Sequence, residues 1–222
     1  PDDVELGAGG FLALEVSRGR KCGIVDLTRG EMATNGNPVT RQLEAERAAR
    51  VLGVGVRLNL GLKDRGLSQD CIAPIVKEIR ELKPRVALLP YWQDRHPDHE
   101  FGSKLIEDAV FNAGLINYPT GQEPWRVKSL WYYPINSEVT PSFFVDVSET
   151  YGLKISALKE HASQFSITEN SIKTRLNSNF LYYIESRDRL FGARIGTEFA
   201  EGFVVKQPLA IPDPVSLLGG IL

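Results

Sequence analysis

The chain has 222 residues, of which 42% are hydrophobic and 24% charged, the proportions of an ordinary globular domain with enough length to bury a core. Its 26 basic and 28 acidic residues leave a net charge of −2, which speaks against a nucleic-acid partner. Two cysteines are too few for a disulfide framework, and no apolar run approaches the roughly 20 residues of a membrane span, so a single cytoplasmic domain is expected over residues 1–222.

In chain order, Gly7, Ala8, Gly9 and Gly10 lead into apolar positions that read as a turn and helix over 5–18. This glycine run lacks the spacing of a dinucleotide-binding loop. A strand is expected to precede it, upstream of Pro1. Residues 22–27 and 56–60 read as buried strands. Between them lie a loop over 28–39 and a helix capped by Thr40 that ends before Gly53. Ser68 opens a helix to about residue 82, followed by a strand at 85–90 and a helix over 97–113. Strands are predicted at 129–133 and 143–147, helices at 148–161 and 171–184, and an edge strand at 199–205. The last ~20 residues, from Pro208, read as a Pro-rich surface tail. Alternation of strands and helices predicts an α/β fold, a three-layer Rossmann-like sandwich around a mainly parallel sheet. Ligands bind such sheets beyond the carboxyl ends of the strands.

Two polar motifs occupy such ends. The chain holds only three histidines, and two of them fall in His96-Pro97-Asp98-His99. Pro97 suits a first helical position, and residues three apart share a helix face, so His96 and His99 reach one site. A helix start with two solvated histidines is the plain alternative. Asp2-Asp3 offers one carboxylate for a metal and another for proton transfer, against the alternative of an acidic turn capping the next helix. Together the motifs contain the parts of a hydrolytic metal site, which uses about three His or carboxylate ligands and leaves a position for water. His161 sits in a helical pattern away from both and reads as structural.

Residues 1–10, from Pro1-Asp2-Asp3 to Gly10, and His96-Pro97-Asp98-His99 resemble the two motifs of the LmbE-like (PIG-L) N-acetylglucosamine deacetylases, without the family's leading histidine. Asp26 to Glu31, Thr40-Arg41, Asn59 to Leu62, Pro90 to His96 and His161 to Gln164 resemble the bacillithiol-pathway subgroup acting on N-acetylglucosaminyl L-malate, so the likeness spans nearly the whole chain. The resemblance implies a zinc hydrolase with Asp3 and His99 as ligands and a third, histidine ligand just before Pro1. Ferrous iron suits the same donors. Asp2 would be the general base. His96, tuned by Asp98, would stabilise the oxyanion or act as the acid. Arg41 would contact substrate, Arg95 its carboxylates and Asp64 a sugar hydroxyl, while Trp92 would stack on the sugar. The implied partners are a small N-acetylglucosaminyl substrate and further copies of the chain in a homo-oligomer. Chito-oligosaccharides are an alternative substrate. A catalytically silent sugar-binding relative is the alternative function, distinguished by its metal content.

Overall fold

The computed structural model describes residues 1–211. The expected tail therefore falls, beyond residue 211, outside the described residues. In order, the elements are α1 (Asp3–Ser17), β1 (Gly23–Thr28), α2 (Pro38–Leu52), β2 (Val56–Leu62), α3 (Ile72–Leu82), β3 (Val86–Pro90), α4 (Pro97–Ala113), β4 (Ser129–Tyr133), β5 (Phe143–Asp146), α5 (Tyr151–Glu160), the short α6 (Ala162–Phe165), α7 (Leu181–Ile195) and β6 (Ala200–Phe203). The fold is mixed α/β. Strand β1 pairs with β2 and β3 with β4, both parallel, whereas β5 and β6 pair antiparallel. One antiparallel bridge, Tyr132 to Val204, ties the end of the last pair to β4. The ladders among the described residues are thus three two-stranded pairs, where a continuous sheet was expected.

The strands separate two groups of helices. Ile24 of β1 joins a cluster with Leu12, Ala48, Leu52 and Ala157, from α1, α2 and α5. Leu27, three residues on and therefore on the opposite face of the strand, packs on Ile75, Val76 and Leu105 of α3 and α4. A third cluster joins Leu6 to Tyr133, Phe180, Ile184 and Phe203, binding the last third of the chain to the start of the first helix.

Most elements fall where the patterning puts them, with instructive exceptions. Helix α2 starts at Pro38 and is capped by Asn37, whose side chain accepts from the Thr40 N–H at 3.0 Å, so Thr40 is inside the helix. The helix expected over 171–184 begins later, as a π-helical turn over Leu176–Phe180 that runs directly into Leu181–Ile195. At its start the Asn177 side chain accepts from the Thr174 N–H at 2.8 Å while the Asn177 N–H donates to the Thr174 hydroxyl at 3.4 Å, a reciprocal cap that ends the preceding loop.

The glycine run is helical rather than a turn. Helix α1 continues through it but kinks at Ala8, where φ is −147°. Three backbone groups at the break bond side chains from far along the chain. The Leu6 carbonyl accepts from Arg187 at 2.8 Å, while the Gly10 and Phe11 N–H groups donate to the Glu201 carboxylate at 3.0 and 2.7 Å. The glycines are there for contact. A Cβ on Gly7 would lie 2.1 Å from Cδ2 and 2.9 Å from Cβ of buried Tyr133, the latter an atom that cannot swing away. Gly→Ala inside a helix ordinarily stabilises by about 1 kcal/mol. Gly7→Ala is expected to do the reverse and cost about 1–3 kcal/mol through overpacking, read as a lower urea midpoint.

Candidate active site

The N-termini of α1 and α4 meet at the carboxyl ends of β1 and β3, beside a cavity of about 630 Å³. Pro97 opens α4, and Nδ1 of His96 accepts from the Asp98 N–H at 3.3 Å as its cap. His96 and His99 stack with ring centroids 4.6 Å apart, as residues one turn apart on one face do. The decisive contact is between the two motifs. Nε2 of His99 lies 3.2 Å from Oδ1 of Asp3. These side chains come from segments almost a hundred residues apart, and both line the cavity.

Behind His99, on its Nδ1 side, Oδ1 of Asp94 lies 3.1 Å away. A carboxylate on one imidazole nitrogen that leaves the other facing an acidic ligand is how metal-binding histidines are oriented. Asp94 is itself fixed, accepting from the His96 N–H at 2.8 Å and from the backbone and side chain of Asn136 at 3.1 and 2.9 Å. Burial opposes charge on His99, but Asp3 and Asp94 outweigh it and raise its pKa to about 10. Burial would also raise Asp94, yet its bonds to His99 and His96 hold it down at about 2. Asp3 and His99 fit two of the protein ligands of a catalytic zinc in donor type and separation. Among the described residues no group of three His, Cys, Asp or Glu side chains is assembled to hold an ion.

Asp2 sits next to this pair in the left-handed region, with φ 92°, where a non-glycine residue is strained by about 1–3 kcal/mol. Burial pushes its carboxyl pKa upward, offset in part by Arg41 and reinforced by Asp3. An elevated carboxylate suits proton acceptance near neutral pH.

The remaining expected site residues divide. Asp64 and Arg95 line the cavity. Oδ2 of Asp64 accepts from the Met32 N–H at 3.0 Å, and Arg95 reaches Asn136 at 3.3 Å. Arg41 lines the cavity too, but its donors are turned on the chain rather than towards a substrate. They bond the Pro1 carbonyl at 2.7 Å, Asp2 at 3.0 Å and the Gly30 carbonyl at 3.3 Å. Asp98 is not paired with the His96 ring through its carboxylate, which instead accepts from the Arg65 backbone and guanidinium at 2.7 and 2.9 Å. Because Nδ1 of His96 accepts a backbone N–H, the neutral ring carries its proton on Nε2. Trp92 is not among the cavity residues. It packs on Tyr91 and Tyr132 at 4.2 and 4.8 Å between centroids, with the Lys206 ammonium 4.4 Å from its ring centre. Those three partners hold the Trp92 ring outside the cavity lining, where the structure brings it to none of the other expected site residues.

Composition and spacing left Asp94, Glu5 and Arg57 unassigned, and His161 was placed away from the motifs. His161 is in fact buried against Glu5, two residues beyond Asp3, with Nε2 3.0 Å from Oε1.

The comparisons with known proteins agree with this geometry. The PIG-L model, described as GlcNAc-PI de-N-acetylase, matches residues 1–110. The chain is 31% identical over 182 residues to diacetylchitobiose deacetylase of Thermococcus kodakarensis, covering 74% of this chain and 67% of that one. It is 25% identical over 205 residues to a probable N-acetyl-alpha-D-glucosaminyl L-malate deacetylase 2 of Bacillus anthracis, covering 85% and 88%. The crystal structure of a conserved protein from Thermus thermophilus superposes with a TM-score of 0.88 at 38% identity, covering 95% of this chain and 93% of that one. The malate deacetylase likeness is thus the more distant of the two named activities. By motif, fold and extended identity, the chain belongs to the PIG-L family and is an N-deacetylase.

Proposed function

We propose that this protein removes the acetyl group from an N-acetylglucosaminyl compound, using a zinc ion held by Asp3, His99 and, as the resemblance implies, a histidine preceding Pro1. The observation that carries the reading is the 3.2 Å approach of Asp3 to His99 beside a second, strained and buried carboxylate. When bound, zinc lowers the pKa of water towards ~7 and polarises an amide carbonyl. Asp2 accepts the water's proton. Arg41 holds the Asp2 carboxylate and the Pro1 carbonyl in place. His96, with its proton on Nε2, donates towards the developing oxyanion, an interaction of about 3–4 kcal/mol in comparable sites. The amine leaves with a proton returned by a carboxyl or imidazole of the same cluster.

For the aglycone, N-acetylglucosaminyl L-malate is the first reading, since Arg95 at the cavity wall offers a cation to its carboxylates. Chito-oligosaccharide is the second, favoured by the 31% identity to diacetylchitobiose deacetylase. Purified protein carrying its natural upstream residues is expected to hold about one zinc per chain and to release acetate. Acetate from the malate glycoside but not from diacetylchitobiose supports the first reading, and the reverse result the second. A chain that holds no divalent ion and releases acetate from neither would overturn the proposal.

A further inference from the structure

Beneath the Asp2–Asp3 turn lies a largely buried charged cluster. Glu5, in the first turn of α1, is fully buried. It is gripped from two sides by Arg57 of β2, through a guanidinium nitrogen, and by Nε2 of His161 at 3.0 Å. Arg57 is itself fixed by a two-pronged bond to Asp26 of β1, at 2.8 and 3.0 Å, and by the Ala45 carbonyl at 3.2 Å. His161 is fixed by its own segment. Ser163 bonds Glu44 of α2 through backbone and hydroxyl, both at 2.7 Å, and Gln164 donates to the Asn35 carbonyl at 2.8 Å. Glu5 is thus a hub joining two strands, α2 and α6 to the first turn of α1. That turn begins at Asp2, whose carbonyl accepts from the Leu6 N–H at 3.1 Å.

A strained left-handed residue persists only where its surroundings over-determine it. Arg41 restrains Asp2 from the cavity side. On that side the helical turn that follows is held at Asp3 by His99, at 3.2 Å, and Glu5 is the polar residue of the same turn anchored from beneath. We propose that His161 and Arg57 form a buried clamp on Glu5 that holds the Asp2–Asp3 turn in its working geometry, which makes His161 a positioning residue for turnover. The inference rests on the reading of Asp2 as the base. A displacement of about 1 Å in a reacting group lowers rate by about 100-fold. Glu5, Arg57 and His161 do not themselves line the cavity, although Arg57 bonds Asp26, which does, so loss of His161 acts on kcat.

Three variants test this, with kcat, KM and zinc content measured for each. His161→Gln places an amide nitrogen four bonds from Cα, as Nε2 is, and keeps a donor for Glu5. His161→Asn places it one atom short, and His161→Leu removes it. The expected result is a kcat for Gln within about tenfold of the parent and a loss of about 100-fold for Asn and Leu, with KM and zinc content within about twofold throughout. The clamp is overturned if Asn and Leu keep kcat within about threefold, if Gln is no faster than Asn, or if the loss falls on KM or zinc. Should Leu fail to fold, the Gln and Asn pair decides. If none of the three folds, His161 serves folding alone and the proposal is wrong. Asp2→Asn run in parallel separates the two levels. An active Asp2→Asn defeats the base assignment itself, whereas an inactive one beside a fully active His161→Leu defeats only the clamp.

Discussion

Asp2→Asn is expected to lose on the order of 10²–10⁴-fold in kcat while remaining folded and retaining its zinc. The amide keeps an oxygen that can accept from Arg41, which lies 3.0 Å from the native carboxylate, so the restraint on the loop is preserved. What it lacks is the ability to take a proton from water. Two measurements bear on the outcome. Acetate release reports the chemistry, and metal analysis reports whether the proposed ligand pair, Asp3 and His99, is intact. Survival of more than a tenth of the activity would place the base elsewhere. Loss of zinc together with activity would mean that Asp2 supports the ligand pair rather than the proton transfer.

The largest effect on stability is expected far from the cavity. Lys154 of α5 is fully buried and donates to Asp188 and Glu201, each at 2.7 Å, with both carboxylates also fully buried. Asp188 has a second partner in Arg187, at 2.8 Å, whereas among the described residues Glu201 has only Lys154 and the two N–H groups at the kink of α1. Lys154→Met fills similar volume but leaves Glu201 without a counter-cation, a change expected to cost about 3–5 kcal/mol. Burial already pushes Glu201 above the ordinary carboxylate range, and loss of Lys154 pushes it further. A group whose folded pKa is raised contributes stability below its unfolded value and loses it as pH rises through the folded one. The deficit of Lys154→Met relative to the parent should therefore shrink as pH falls from 7 towards the ordinary Glu value of about 4.3. Urea unfolding of both proteins at several pH values reads this directly. A deficit independent of pH would show that packing, not charge, dominates the site.

How much of this was legible in the sequence depended on whether the signal was local. His96-Pro97-Asp98-His99 announces a capped helix start with two imidazoles on one face, and that is what forms. The strand boundaries follow runs of apolar residues that must be buried. The pairing of Asp3 with His99 was inferable because the family resemblance joins the two motifs in one site and because His96-Pro97-Asp98-His99 follows the end of β3. The misses share one cause, which is that each meaning is set by a distant partner. The glycine run resembles a turn until Tyr133 is known to press on Gly7. Arg41 resembles a free substrate contact until the Pro1 carbonyl and Asp2 claim its donors. Trp92 is sugar platform or wall according to where Lys206 lands, more than a hundred residues away. Asp94 gains its role from Asn136 and the buried side of His99, while the Glu5–His161 contact spans 156 positions in the chain. The helix expected from residue 171 starts instead near Leu176, because Thr174 and Asn177 bond each other as a helix cap, a boundary set by side-chain chemistry rather than by apolar spacing.

The kink in α1 has a consequence for how the molecule comes together. Its freed N–H groups are answered by Glu201, 190 and 191 positions away, and its freed carbonyl by Arg187. The turn that carries Asp2 and Asp3 thus belongs to a helix whose bonding is completed by residues 181 to 191 positions later. Closing so large a loop is entropically slow. Nascent protein lacking the segment around residue 200 would hold α1 with unanswered polar groups, an assembly order in which the Asp2–Asp3 turn is synthesised early and secured late.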